Sequence, residues 1–138
     1  MPRLVAIDLG QKRTGVAATD PLQIIASPLE TVETKGLWAW LQAYLAKEAV
    51  EAVIVGLPVN EKGEPGALHT QAQQLINRLR NAYPALRVEP EDERYTTRMA
   101  TAAIRQAGLT KTARQNKALY DKVSASIILQ SWMERNRR

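Results

Sequence analysis

Cysteine is absent from the 138 residues, which excludes disulfides and thiolate metal sites, so any metal must be held by oxygen or by the single histidine, His69. That restriction favours hard ions such as Mg2+ or Mn2+. Phenylalanine is absent as well, and only four Tyr and three Trp occur, which argues against recognition of single strands by base stacking. No stretch approaches the ~20 apolar residues of a membrane span. Met1 to Gly10 lacks the features of a secretory leader, because Arg3 is its only basic residue and its apolar run breaks at Asp8. A cytoplasmic location with no membrane partner is therefore expected. The length suits one hydrophobic core rather than two, so residues 1–138 are read as a single domain. Internal repeats and low-complexity segments are also missing.

Charge is present but unevenly placed. Residues 1–93 hold nine Lys/Arg and twelve Asp/Glu, whereas residues 94–138 hold ten Lys/Arg and only two Asp/Glu. The C-terminal third is thus a candidate polyanion-binding surface, with Arg94, Arg98, Arg105, Lys111, Arg114, Lys117 and Lys122 as phosphate contacts and a basic tail beyond.

The hydropathy pattern predicts a buried strand from Arg3 to Asp8, a return strand over 14–19 after the Gly10 turn, and a third strand over Ala26–Glu33. Leu37, Trp38, Leu41, Tyr44 and Leu45 then recur at helical spacing, predicting a helix over 36–48. A fourth strand runs from Ala52 to its stop at Pro58. Residues 59–66, with two glycines and a proline, form a loop expected to close over a ligand. A second helix is predicted over 67–82 with His69 on its surface, a fifth strand over 86–90, a third helix from Thr96 or Thr97 to Gln106, and a last helix over 115–134. This order predicts an α/β fold with one five-stranded mixed sheet, its first three strands antiparallel, and helices on both faces.

Three acids stand at the edges of these elements. Asp8 ends a buried strand, where a carboxylate is costly unless a cation or several hydrogen bonds compensate. Glu93 follows the fifth strand, and Asp92 beside it points the opposite way if the chain stays extended, so only one can face a shared site. Glu93 is the favoured one. Asp121 leads the stripe Ser124, Ala125, Ile128 and Trp132 of the last helix, which aims it at the core boundary. Taken singly, each acid also fits a turn, dipole or capping role. Together they suit metal-assisted phosphodiester hydrolysis, in which a cation lowers the pKa of an attacking water and a second one stabilises the leaving oxygen. Lys12, Arg13, Arg94 and Arg98 would then hold phosphates.

The segments DLGQKRTGVA at 8–17, VGLPVNEKGEPG at 55–66, EDERYTTRMA at 91–100 and YDKVSASIILQSWM at 120–133 resemble the YqgF (RuvX) family of pre-16S rRNA nucleases and Holliday-junction-resolvase-like proteins. The resemblance spans nearly the whole chain in the family's order. It implies a ribonuclease-H-like domain, a nuclease trimming the 5′ end of the small-subunit rRNA precursor, and Asp8, Glu93 and Asp121 as catalytic metal-binding acids. Structured RNA, branched DNA and ribosomal particles are the partners it implies. Two departures accompany it: many resolvases of the wider superfamily carry an acid on the strand that here ends Gly56-Leu57-Pro58, and another one turn after the last-helix Asp, where Ser124 stands. A junction-resolving DNA endonuclease and a non-catalytic RNA-binding assembly factor are the competing readings. An actin-like phosphotransferase, which the first hairpin also suggests, would need a second domain for which 138 residues leave no room.

Overall fold

The computed structural model describes residues 2–58, 66–92 and 117–136, the side chains of 117–121 excepted. Strands β1 (Arg3–Asp8), β2 (Arg13–Thr19), β3 (Ala26–Glu33), β4 (Val50–Leu57) and β5 (Arg87–Asp92) form one sheet in the order β3-β2-β1-β4-β5. β1, β2 and β3 are antiparallel neighbours, while β4 and β5 run parallel to β1. The predicted first three strands, mixed sheet and helices on both faces are all observed. The helix expected over 96–106, residues 107–116 after it and loop positions 59–65 lie outside the described residues.

Sequence alternation explains how one sheet supports two cores. On one face Val5, Ile7, Val16, Val53, Val55 and Val88 pack under α1 (Leu37–Lys47) and α2 (Ala67–Ala82), which contribute Leu37, Leu41, Ala72, Ile76 and Leu79. On the other face Leu4, Ala6, Ala17, Ala52 and Ile54 pack under α3 (Lys117–Asn136), through Ala125, Ile128, Leu129, Trp132 and Met133. The small residues beneath α3 let the helix lie close to the sheet. The spacing of Ala125, Ile128 and Trp132 is the stripe read from the sequence.

β2 begins one residue earlier than expected, at Arg13, and β4 and β5 also differ at their limits. β4 starts at Val50, since the half-buried Val50 already pairs with Arg3. β5 continues through Pro90 to Asp92. A proline is tolerated there because β5 pairs with β4 alone and its open side needs no N–H donor. The other edge, β3, carries Pro28 and faces a bulge at Val16/Ala17, features that discourage pairing with another chain. Beyond β2, Asp20 accepts backbone bonds from Ile25 at 2.8 Å, Ile24 at 2.9 Å and Leu22 at 3.1 Å. These donors, that of Ile25 foremost, hold its carboxyl below the usual range.

Because the sheet separates the two cores, Ile76→Val and Ile128→Val are expected to cost about 0.5–1.5 kcal/mol each. In the double variant the two costs should add to within about 0.5 kcal/mol. Urea unfolding of the four proteins measures this, and strong coupling would mean that the cores are not independent.

Candidate active site

Asp8 is the last residue of β1 and shares the α3 face with Leu4 and Ala6. It pairs with Gly15 of β2. Ile7 pairs with Val55, which sets Gly56 of β4 beside Asp8 on the other flank, and Gly56 in turn pairs with Glu91 of β5. The row therefore reads Gly15, Asp8, Gly56, Glu91 across four strands. Both glycines are buried, and neither puts a side chain beside the carboxylate. A glycine inside a strand commonly marks such a close approach. Within this row, then, the strands flanking the half-buried Asp8 place no side chain next to it.

Glu91 is a site residue that sequence reasoning missed. It is 1% exposed, and its carboxylate forms an ion pair with Arg135 in the last turn of α3. Neither of its oxygens accepts a hydrogen bond from a described residue. The signal was legible in the run Glu89-Pro90-Glu91-Asp92-Glu93, because alternate residues of a strand share a face. Val88 faces α1 and α2, and Asp92 shares its parity, so β5 turns Asp92 away from the side of Asp8. Glu93 has the parity of Glu89 and Glu91.

The direction of α3 is fixed at its C-terminal end. Trp132 Nε1 donates to Glu89 Oε2 at 2.8 Å, and Trp132, Met133, Arg135 and Asn136 enclose a cavity with Leu4, Glu51 and Arg87. These last three lie toward the N-terminal ends of β1, β4 and β5. The helix thus runs antiparallel to those strands, and its first turns point toward Asp8. Eleven residues from Trp132 back to Asp121 span about 16 Å of helix, against about 13 Å for the four strand residues from Leu4 to Asp8. The backbone of residue 121 therefore lies near the level of Asp8.

Glu93 and the Asp121 side chain fall outside the described residues. Among the described residues no three His, Asp or Glu side chains converge closely enough to hold a metal. Of the expected nucleic-acid contacts, Lys12 is exposed, while Arg13 and Lys122 are half-buried. Lys117 belongs to α3 with its side chain outside the described set, and Arg94, Arg98, Lys111 and Arg114 lie outside it altogether. His69 is half-buried in the first turns of α2, remote in sequence from these acids.

The turn after Asp8 is tightly specified. A side chain at Gly10 would place its Cβ 2.2 Å from the Arg13 carbonyl oxygen, a distance only glycine avoids. Thr34 Oγ1 donates to the Gly10 carbonyl at 2.8 Å, and the buried Thr14 hydroxyl must donate to Thr34 Oγ1, also at 2.8 Å. Thr34 N–H donates to the Lys12 carbonyl at 2.9 Å. Such a network, fully satisfied inside the protein, rigidifies the loop it spans.

A five-stranded sheet of this order, with helices on both faces, is the ribonuclease-H-like fold. Among solved structures the chain is similar to Thermus thermophilus RuvC bound to a Holliday junction, with a TM-score of 0.58 at 18% identity, covering 98% of this chain and 96% of that one. A second Thermus thermophilus RuvC structure gives 0.54 at 14% identity, covering 96% and 95%. The family model described as "RuvX: Holliday junction resolvase" matches residues 2–135, and the chain belongs to that family. Relatives named "Putative pre-16S rRNA nuclease" include proteins of Flavobacterium psychrophilum, 44% identical over 135 residues with 98% of each chain covered, and Bacteroides thetaiotaomicron, 45% identical over 137 residues with 99% of each covered. One from Phocaeicola vulgatus is 47% identical over 134 residues, covering 97% of this chain and 96% of that one.

If the space beside Asp8 matters, Gly56→Ala should lower metal-dependent cutting at least about tenfold, equivalent to about 1.4 kcal/mol. Its stability should change by no more than about 1 kcal/mol, the usual scale for glycine replacement in a strand. Parallel rate assays and thermal melts separate the two effects, and an unchanged rate would show that the gap has no catalytic use.

Proposed function

We propose that this chain is a divalent-metal-dependent nuclease acting on structured RNA, namely the precursor of 16S rRNA at its 5′ end, in the cytoplasm during ribosome biogenesis. The observation that carries the reading is the register that sets Asp8, at the end of the central strand on the α3 face, between Gly15 and Gly56. Asp8, Glu93 and Asp121 are assigned as the catalytic metal-binding acids, drawn from three different elements. Asp8, Glu93 and Asp121 would hold Mg2+ or Mn2+, which when bound would lower the pKa of an attacking water and offset charge on the leaving oxygen.

The chain's own groups do the positioning. Asp8 is held by a central strand whose neighbours on both sides are paired, so its carboxylate has a fixed origin. Asp121 approaches from a helix fastened to the sheet at its far end by Trp132 and Arg135. Lys12 and Arg13 follow Asp8 in a braced turn and hold phosphate oxygens, while the basic C-terminal third, including Arg94, Arg98, Lys111, Arg114, Lys117 and Lys122, tracks the backbone further away. Contacts of this kind read shape and charge rather than bases, which suits a folded RNA. Loop 59–66 is assigned to cover the substrate.

The family description names a Holliday junction resolvase, so branched DNA is the second substrate to test. Labelled pre-16S 5′-end RNA and a four-way DNA junction should be incubated with the protein, with and without Mn2+. Metal-dependent cutting of the RNA is expected, and Asp8→Asn should lower it by a factor of about 100 or more, or roughly 3 kcal/mol of transition-state stabilisation. Preferential cutting of the junction would replace RNA by DNA as substrate. Tight RNA binding with no cutting in either protein would leave an assembly factor without catalysis.

A further inference from the structure

Lys35 was given no role by the sequence, yet the fold carries it to the turn that follows Asp8. β3 ends at Glu33, which pairs with Arg13, and the short 3-10 turn Thr34–Gly36 comes next. The two bonds from Thr34, to the carbonyls of Gly10 and Lys12, tie that turn to residues more than twenty positions earlier. Gln11, Lys12, Arg13, Glu33 and Lys35 consequently line one cleft of about 490 Å³. Three cationic side chains and one carboxylate give it a net positive charge. The link between Lys35 Nζ and Glu33 Oε2 is 3.6 Å long between side chains 86% and 72% exposed, and an ion pair that open to water is weak enough to be exchanged for a phosphate.

We propose that this cleft is a phosphate subsite, in which Lys35 with Lys12 and Arg13 grips a backbone phosphate of the substrate beside the scissile one. The proposal rests on the nuclease reading for its substrate class, and adds a residue and a second contact region on the β2–β3 side of the sheet. Its position fits. Arg13 lies two residues outward from Gly15, the partner of Asp8, or about 7 Å along the strand on the face of Asp8. The chemistry fits as well, since among the described residues no aromatic ring lines the cleft to stack on a base, while ammonium and guanidinium groups match phosphate oxygens. Thr34 is the positioning residue, because its hydroxyl and amide hold the turn of Lys12 against that of Lys35.

The test measures binding of a fluorescein-labelled RNA hairpin to the Asp8→Asn protein, which keeps the RNA intact, from about 50 to about 200 mM salt. Adding Lys35→Ala should weaken binding and lower the slope of log affinity against log salt by about 0.7 to 0.9, the loss of one phosphate contact. Lys47→Ala, which removes an exposed lysine from the far end of α1, should leave the slope unchanged. An unaltered slope in Lys35→Ala, or an equal fall in Lys47→Ala, would overturn the subsite, the second by showing an effect of net charge alone. None of these outcomes depends on cutting, so a failure of the nuclease reading would appear separately, as an inactive native protein.

Discussion

A carboxylate at the end of a central, doubly flanked strand is the constraint around which the rest of the molecule is arranged. Asp8 has apolar residues behind it along β1 and a helix across its face, so its charge must be met by a specific partner rather than by bulk water. The strands on either side answer with glycine, at positions 15 and 56. Among the strand residues of its own row, Asp8 therefore has no side chain directly beside it.

The rest of the fold serves that end of the sheet. α3 lies close to the sheet because the residues under it are mostly alanine, and it is fastened at its C-terminal end through Trp132 to Glu89 and Arg135 to Glu91. Those contacts aim its first turns at Asp8. On the other side of Asp8 the Gly10 turn is braced by Thr14 and Thr34, which fixes Lys12 and Arg13 relative to the strand end. Asp8 and the cations Lys12 and Arg13 thus sit on a central strand end and on the separately braced turn beside it. That arrangement suits a substrate whose phosphates must be held while one of them is attacked.

Much of this was legible in the sequence because the dominant signals are local. Strand β3 and helix α2 have the predicted limits, since turn residues and hydrophobic spacing define both, and the stripe Ala125, Ile128, Trp132 identified the buried face of α3. β5 was read two residues short because Pro90 looks like a stop, and only its place at the sheet edge makes the proline harmless. The roles of Gly15, Gly56 and Glu91 were hidden for a related reason: each depends on which strand lies beside which, a long-range property that periodicity does not encode. The same holds for Lys35, which one sequence neighbourhood cannot connect with Lys12. The family resemblance, carried by four motifs in order, is matched by the family model and by relatives over nearly the whole chain.

The most direct trial of this account is a crystal structure soaked with Mn2+ and recorded at the manganese absorption edge. The account requires an anomalous peak within bonding distance of Asp8, Glu93 and Asp121 together. Manganese bound elsewhere, or the three carboxylates lying too far apart to share an ion, would contradict it.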